Sequence, residues 1–600
     1  MSEKKNRAAD KAREYSFKAC RRVRRDDGLV MYGMKRYTFR DFVDAVSARY
    51  GKLMCYTVYG GEDEVSFSYR YLAFKVHAIS SYLLRLGVKK GDRICIYGES
   101  SPMWMMFYLG LTGIGAIAVP ILPGFSGKET IVAMEDSGCI GICAQTRQFQ
   151  SVADHCLDKG MLVFRLEDLM HIPSDVLSGM DKADFASAPG IDITHAKFSL
   201  RELASIPLEE DDIASIIYTS GTTGSSKGVV LTHRNILRNA DRSSYEYIHV
   251  KPGMRVLSIL PISHIYEFTI GQLLSMNCGL EIHFLGKPPA VSVLLPALKK
   301  IRPHVIQTVP LLIEKVYKSA VAPVIKGEGK LAKAYANPLV RGFVARLIGS
   351  RLKTTFGGKL KFFGIGGSAL DKEVEDFLYR ARFPYALGYG LTETSPLLAG
   401  CGPRRKDHVR TSVGKVHPDV DMVLLDKDGE GVGEIAVKGP NVTPGYYNNP
   451  ELNAEAFTKD GYFRTGDLGA IVRGRLYIKG RCKTMILGPA GENIYPESIE
   501  SVINNMQFVQ ESLVVPEGTG LLALIRIDLE AYAKSLKIDL DQAREEAKKY
   551  VLSLRGQVNK ELSAQNRIDA VELQEEDFER TATQKIKRFL YPKKKKEDGQ

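Results

Sequence analysis

Between residues 66 and 400 the chain alternates short apolar runs with amphipathic stretches. SFSYRYLAFKVHAISSYLLRLG carries its apolar residues at helical spacing, and GDRICIYG reads as a strand followed by a helix start at Ser100-Ser101-Pro102. The same unit recurs: GICAQ, SIIYTS before THRNILRNA, RVLSILP, VIQTVP before LLIEKVYKSA, and LKFFGIGG before DKEVEDFLYRA. Strands alternating with helices predict an α/β fold with a largely parallel sheet. After Gly400 the texture changes. Residues 413–479 (MVLLDKDGEGVGEIAVKG, GRLYIKG) read as short antiparallel strands with Gly-rich turns. From Gly480 a small α+β unit follows: a helix in IYPESIESVINN, strands in SLVVPEG and LLALIRIDL, and a charged helix near 540–565.

One segment imitates a membrane span. Residues 103–125 (MWMMFYLGLTGIGAIAVPILPGF) are uncharged over about the 20 residues a bilayer requires. Gly110, Gly113, Gly115, Pro120 and Pro123 divide it, so a buried helix feeding a buried strand is expected.

The organisation that emerges is a basic lead-in (1–65), a large domain (66–479), a boundary segment (480–484), a small domain (485–592) and a basic tail (593–600). With 44% hydrophobic and 26% charged residues, composition excludes a disordered or fibrous chain. Cys139 and Cys143 stand in a C-x3-C spacing with no nearby His pair, which argues against zinc. The other seven Cys are scattered, as in a reducing cytoplasm. MSEKKNRAADKAREY has no apolar core and predicts no signal peptide.

The formal charge is +13. Residues 1–25 carry ten basic and three acidic residues, and residues 580–600 carry eight and two, so 26–579 sum to zero. That removes the motive for nucleic-acid binding by the body. It suggests peripheral docking of the two ends on an anionic membrane, each exposed cation being worth about 1 kcal/mol or less.

The strongest chemical signal is Tyr218-Thr219-Ser220-Gly221-Thr222-Thr223-Gly224-Ser225-Ser226-Lys227-Gly228. Small residues and hydroxyls after a buried strand can surround phosphate oxygens, with Lys227 supplying charge. The G-x4-G-K-[ST] pattern cannot be placed on it. This segment resembles the phosphate loop of the adenylate-forming (AMP-binding) superfamily, although Pro is commoner there than Ser226. Further motifs follow in the family's order. Gly366-Gly367-Ser368-Ala369 resembles the adenine-side loop. Gly388-Tyr389-Gly390-Leu391-Thr392-Glu393-Thr394 resembles the segment whose aromatic ring stacks on adenine. The resemblance implies that Thr392 touches phosphate and that Glu393, with Thr219, serves Mg²⁺, a hard cation suited to oxygen ligands. In Tyr462-Phe-Arg-Thr-Gly-Asp467, Asp467 takes the position that accepts the ribose hydroxyls. Gly480-Arg481-Cys482-Lys483 resembles the hinge, Arg481 facing ribose and Lys483 being the pivot; Thr484 stands where Asp is frequent. Gly488, Gly491, Glu492 and Asn493 match the loop that lines the thioester-forming conformation. Arg580-Thr-Ala-Thr-Gln584-Lys585-Ile-Lys-Arg588 resembles the C-terminal lysine motif, with Gln584 replacing a frequent Gly.

Leu260-Pro-Ile-Ser-His264-Ile-Tyr-Glu267, Val309-Pro-Leu-Leu-Ile-Glu-Lys-Val-Tyr317 and GGSALDKEVEDFL are similar to the long-chain fatty acyl-CoA synthetases. His264 would lie near the acyl carboxylate, and the following helix, FTIGQLLSMNCGL, could wall an acyl tunnel. The resemblance implies a large α/β domain with a β subdomain and a mobile α+β domain. It also implies two half-reactions on fatty acid, Mg·ATP and CoA: acyl-adenylate formation with release of pyrophosphate, then, after rotation about Lys483, thioester formation with release of AMP. Lys585, Lys227, His264 and Thr392 are the residues expected to carry the chemistry. Open alternatives are delivery to a carrier protein, a medium-chain or aryl acid, and, in a different class, a weakly active membrane or acyl-binding scaffold.

Overall fold

The computed structural model describes residues 20–24, 30–34, 36–60, 65–220, 226–287, 289–487, 493–518, 520–563, 566–581 and 586–591. The chain divides into two compact units. One comprises residues 1–219, 226–421 and 437–463; the other comprises 220–225, 422–436 and 464–600.

The larger unit is built on two extended sheets. In the first, Leu162–Arg165, Gly141–Ala144, Arg93–Tyr97, Ile117–Ile121 and Ile213–Ser220 lie side by side, with parallel pairing throughout that run. These strands are almost wholly buried, as β-branched parallel strands covered on both faces must be. The second sheet runs from Val65–Ser68 through Met54–Val58, Glu281–Phe284, Arg255–Ser258, Val305–Thr308, Phe362–Ile365 and Tyr385–Gly390 to Leu397–Gly400 and Gly414–Val416. Its middle is parallel and its ends are antiparallel.

The helix start read at Ser100-Ser101-Pro102 is present, and two further helices begin on side-chain caps. Ser101 caps Pro102–Thr112 by accepting from the Trp104 amide, and Ser68 caps Tyr69–Arg85 in the same way. Thr232 and Asn235 form a reciprocal capping box at His233–Glu246. The uncharged segment 103–125 is a buried helix, Pro102–Thr112, followed by a buried strand, Ile117–Ile121. Among the described residues no helix is long and apolar enough to cross a membrane.

Two local readings change. The segment after His264 is helical, but Glu267–Leu273 is a π-helix that gives way to an α-helical turn, Leu274–Asn277. Gly271 lies inside it, and a Cβ there would stand 2.5 Å from the Glu267 carboxylate, so the missing side chain lets that carboxylate fold against the helix. The strands within 413–479 also go to two places. Gly445–Tyr446 pairs with Ser226–Thr232 in the larger unit, whereas most of Asp421–Leu425, Gly433–Lys438, Phe463–Val472 and Arg475–Arg481 falls in the smaller one.

The smaller unit also contains a three-stranded sheet of Val509–Glu517, Gly520–Ile527 and Ala570–Leu573. Helices Pro496–Ile503 and Leu540–Glu561 pack against it. Ala543, Ala547, Val551, Leu554 and Val558 recur at helical spacing on the second helix and bury against Ile499, Ile503, Val514 and Ile525.

Candidate active site

In the larger unit the buried strand Ile213–Ser220 ends at the start of the expected phosphate loop. The Tyr218 hydroxyl donates to Asp136, which anchors this strand end. Thr219 is half-buried at the last turn of the pleat. Of Ser220 only the backbone is described, and Gly221, Thr222, Thr223 and Gly224 lie outside the described residues. The chain returns as Ser226–Thr232, with Lys227 in its first turn.

Lys227 and Glu393 are 166 positions apart, and Tyr446 brings them together. Val229 pairs with Tyr446 across an antiparallel ladder, and the Tyr447 amide donates to the Gly228 carbonyl at 2.8 Å. The Lys227 ammonium stands 5.4 Å from the centre of the Tyr446 ring. The Tyr446 hydroxyl donates to Glu393 Oε1 at 2.9 Å. Burial, then the adjacent Glu393 carboxylate, holds this phenol well above its ordinary range, so it remains a donor at every physiological pH.

The turn that carries Glu393 is held tightly. Thr392–Thr394 is a single 3-10 turn in which the Leu391 amide donates to the Thr394 hydroxyl at 3.1 Å. Asn441 Nδ2 donates to the Thr394 carbonyl at 2.7 Å, and the Thr443 amide donates to the Glu393 carbonyl at 2.8 Å. Asn239 bonds both backbone groups of Leu397. At Gly390 a Cβ would fall 1.8 Å from the Pro396 carbonyl, so only glycine fits.

The two expected adenine-side segments leave neighbouring parallel strands. Ile365 pairs with Leu387, so Gly366, Gly367, Ser368 and Ala369 emerge beside Gly388, half-buried Tyr389 and Gly390 at the carboxyl ends of Phe362–Ile365 and Tyr385–Gly390. Gly366 is buried against the Tyr266 ring, 3.2 Å from a would-be Cβ, and Gly367 has φ +92°. The Tyr266 amide donates to His264 Nδ1 at 3.2 Å, which places the His264 segment under the same loop. The next residue, Glu267, is fully buried. Its Oε1 accepts from Ser258 at 2.6 Å and from Gln272 at 2.8 Å, while Oε2 has no partner among the described residues. Burial pushes its carboxyl up to about 8, so it is protonated at neutral pH.

The smaller unit holds the remaining expected residues. Asp467 and Arg481 face each other across Phe463–Val472 and Arg475–Arg481, with Arg481 Nε 3.0 Å from Asp467 Oδ1. The Asp467 side chain is 6% exposed and that of Arg481 41%, so the pair presents its cationic half to solvent. Lys483 is exposed. Thr484 donates to Glu497 Oε1 at 2.8 Å. A carboxylate at 484 could not donate there and would repel Glu497, a physical reason for Thr in this chain. Asn493 pairs with Leu487, and its amide reaches Asp428 at 3.4 Å. Gly488, Gly491, Glu492 and Lys585 lie outside the described residues. On either side of residues 582–585, Arg580 pairs with Glu511 and Arg588 with buried Glu500.

Tyr446, Tyr266 and the ionisation state of Glu267 were not among the residues singled out from sequence. The Pro444-Gly445 turn before two aromatics was the only local signal for the first. The Glu393 carboxylate beside the Tyr446 hydroxyl is an oxygen site of the hard kind that suits Mg²⁺ carried in on substrate phosphates, and among the described residues no cluster of three or more acidic, His or Cys side chains could hold a metal by itself.

A family model for AMP-binding enzymes matches residues 43–447. The long-chain-fatty-acid–CoA ligase FadD15 of Mycobacterium bovis is 29% identical over 483 residues, 77% of each chain. The peroxisomal long chain acyl-CoA synthetase 7 of Arabidopsis thaliana is 30% identical over 503 residues, 77% of this chain and 69% of that one. Among solved structures, ATP-bound MatB from Rhodopseudomonas palustris matches with a TM-score of 0.69 at 25% identity, over 92% of this chain and 98% of its own. With its ordered motifs, its parallel-sheet architecture and these matches, the chain belongs to the AMP-binding enzyme family and has the adenylate-forming fold.

Proposed function

We propose that this protein activates a long-chain fatty acid with ATP and transfers the acyl group to CoA. The observation that carries the reading is the convergence of Lys227, Tyr446 and Glu393 at the end of the phosphate-loop strand. In the first half-reaction a carboxylate oxygen attacks the α-phosphorus, and the bond to the pyrophosphate oxygen breaks. Two anions must meet, so the barrier is lowered mainly by positioning and by fixed positive charge. Lys227 supplies that charge, and Tyr446 orients Glu393. Mg²⁺ bound with ATP would neutralise phosphate charge, and Glu393, with Thr219, would hold it. Tyr389 and the loops at 366–369 and 388–390 take the adenine end, Asp467 and Arg481 the ribose, and Thr392 a phosphate oxygen. His264 sits on the acyl side. In the second half-reaction the CoA sulfur attacks the acyl carbon of the mixed anhydride and AMP leaves, with residues 488–493 lining the thiol's approach.

The long-chain reading rests on the similarity to the relatives named above and on the His264 and Val309–Tyr317 segments. ATP–pyrophosphate exchange, screened over fatty acids of increasing length, tests it. Exchange that rises with chain length supports the proposal; a maximum with short or aryl acids overturns the substrate, and no exchange with any acid overturns the activity. Replacing CoA by acyl-carrier protein in the thioester assay checks the acceptor. Lys585→Ala is expected to abolish exchange and to spare thioester formation from supplied acyl-AMP. An equal loss of both would remove Lys585 from the adenylation half alone.

A further inference from the structure

Residues 291–361 of the larger unit hold fourteen Lys and Arg against two acidic residues, a local charge of +12 inside a body that sums to zero. Ten of the fourteen lie on the helices Val291–Ile301, Pro310–Val316, Ala322–Lys326, Lys330–Ala336 and Pro338–Thr355. The last has apolar residues on both faces. Val344, Ala345, Ile348 and Leu352 pack into the core beside the second sheet. On the opposite face Leu339 is 93% exposed and Phe343 66%, with Leu347 and Val340 also exposed. Leu339, Phe343 and Leu347 are four residues apart, a single stripe about 12 Å long. Arg346 and Arg351 flank that stripe on the helical wheel, and both are exposed. One turn further on, Arg351 and Thr354 share an open cleft of about 400 Å³ with Leu295 and Lys299 of Val291–Ile301.

We propose that this face is a docking surface for an anionic lipid bilayer, with Leu339, Phe343 and Leu347 entering the acyl boundary and the cations around them meeting phosphate headgroups. The surroundings select that occupant. A second copy of the chain would set one basic helical face against another, and the basic ends of this chain, at +7 and +6, would be repelled as well. Side chains that protrude singly from a helix, rather than lining a groove, suit a fluid surface that closes around them. The surface lies elsewhere than in the two basic ends, and the inference does not depend on which acid the enzyme activates.

Flotation of the full-length protein with phosphatidylcholine vesicles, with and without phosphatidylglycerol, tests the proposal. The unaltered protein is expected to float with the anionic vesicles and to be released by salt. Leu339→Asp combined with Phe343→Asp is expected to lower partitioning by about tenfold or more. Lys299→Gln combined with Arg351→Gln is expected to lower it several-fold. All four positions are exposed, and an unchanged thermal unfolding trace certifies the fold of each variant. The proposal is overturned if the protein does not float, or if the double Asp variant floats like the original. It is also overturned if removing residues 1–19 and 592–600 abolishes flotation while the double Asp variant retains it. An acidic protein partner would be indicated instead if the Asp variant lost retention on immobilised polyglutamate but floated unchanged.

Discussion

Glu267→Gln makes the buried carboxylic acid a measurable quantity. In the folded chain Glu267 is pushed from 4.5 up to about 8 by burial, which Ser258 and Gln272 only partly offset. Between those two values the unfolded chain releases the proton and the folded chain keeps it. The folded state therefore binds more protons, and stability falls as pH rises. Each unit of pH in that window costs about 1.4 kcal/mol, and the loss levels off above pH 8. From pH 5.5 to pH 8.0 the ionisation of Glu267 should remove about 3 kcal/mol. Gln cannot ionise, and its oxygen can accept from Ser258 and Gln272 as Oε1 does now. Its amide hydrogens would replace the unpartnered Oε2, at a cost of about 1–3 kcal/mol. The variant should thus be slightly less stable at pH 5.5 and at least as stable as the original at pH 8.0. Urea unfolding followed by tryptophan fluorescence reads this directly. The chain has one Trp, and Trp104 stacks on Tyr108 and lies 5.9 Å from Phe268, the neighbour of Glu267. Other titrating groups are common to both proteins and cancel in the difference. If the two proteins lose stability in parallel from pH 5.5 to 8.0, Glu267 is not held protonated and the reasoning fails.

Three further perturbations address the site and the smaller unit. Tyr446→Phe removes one hydrogen bond to Glu393, worth about 1–1.5 kcal/mol, so pyrophosphate exchange should fall about tenfold and need more Mg²⁺; unchanged Mg²⁺ dependence would detach Tyr446 from the proposed metal side. Arg588→Ala leaves the buried Glu500 without its countercharge, with the Val514 amide still donating to it at 2.8 Å, a loss of about 3 kcal/mol in the smaller unit. Hydrogen exchange of Pro496–Ile503 should show it, with the deficit shrinking as acid protonates Glu500, whose carboxyl burial already raises. Thr484→Asp sets a carboxylate against Glu497 in place of a 2.8 Å hydrogen bond; exchange protection at the start of that helix should drop, and raising the salt concentration should restore part of it.

What could be read from the chain beforehand depended on range. The helix start at Ser101, the buried strand Ile213–Ser220 and the helix-then-strand at 102–121 are set by residues within a few positions of one another, and pattern alone located them. The π-helical turn at 267–273 could not be located that way, because its apolar spacing differs little from that of an α-helix. What distinguishes it is a buried carboxylate folded onto Gly271 and bonded to Ser258 on another strand. Tyr446 was harder still. Its strand is two residues long, too short for any periodicity, and its importance comes from pairing with Val229, far away in sequence.

Charge shows the same dependence on the window over which it is summed. Over residues 26–579 it is zero, which pointed to the termini as the only basic surfaces. The fold gathers most of 291–361 into one set of helices, and that stretch alone sums to +12. Screening limits what exposed charges feel to about 8–10 Å, the scale of neighbouring helices rather than of a 554-residue average. An anionic surface brought up to these helices would therefore feel their charge, and an even balance over the whole body would not cancel it. The exposed stripe at 339, 343 and 347 needed the fold for a different reason. Pro338–Thr355 is apolar on both sides, so its pattern alone marks a buried helix, and only the packing of Val344, Ile348 and Leu352 shows which face is left to meet another surface.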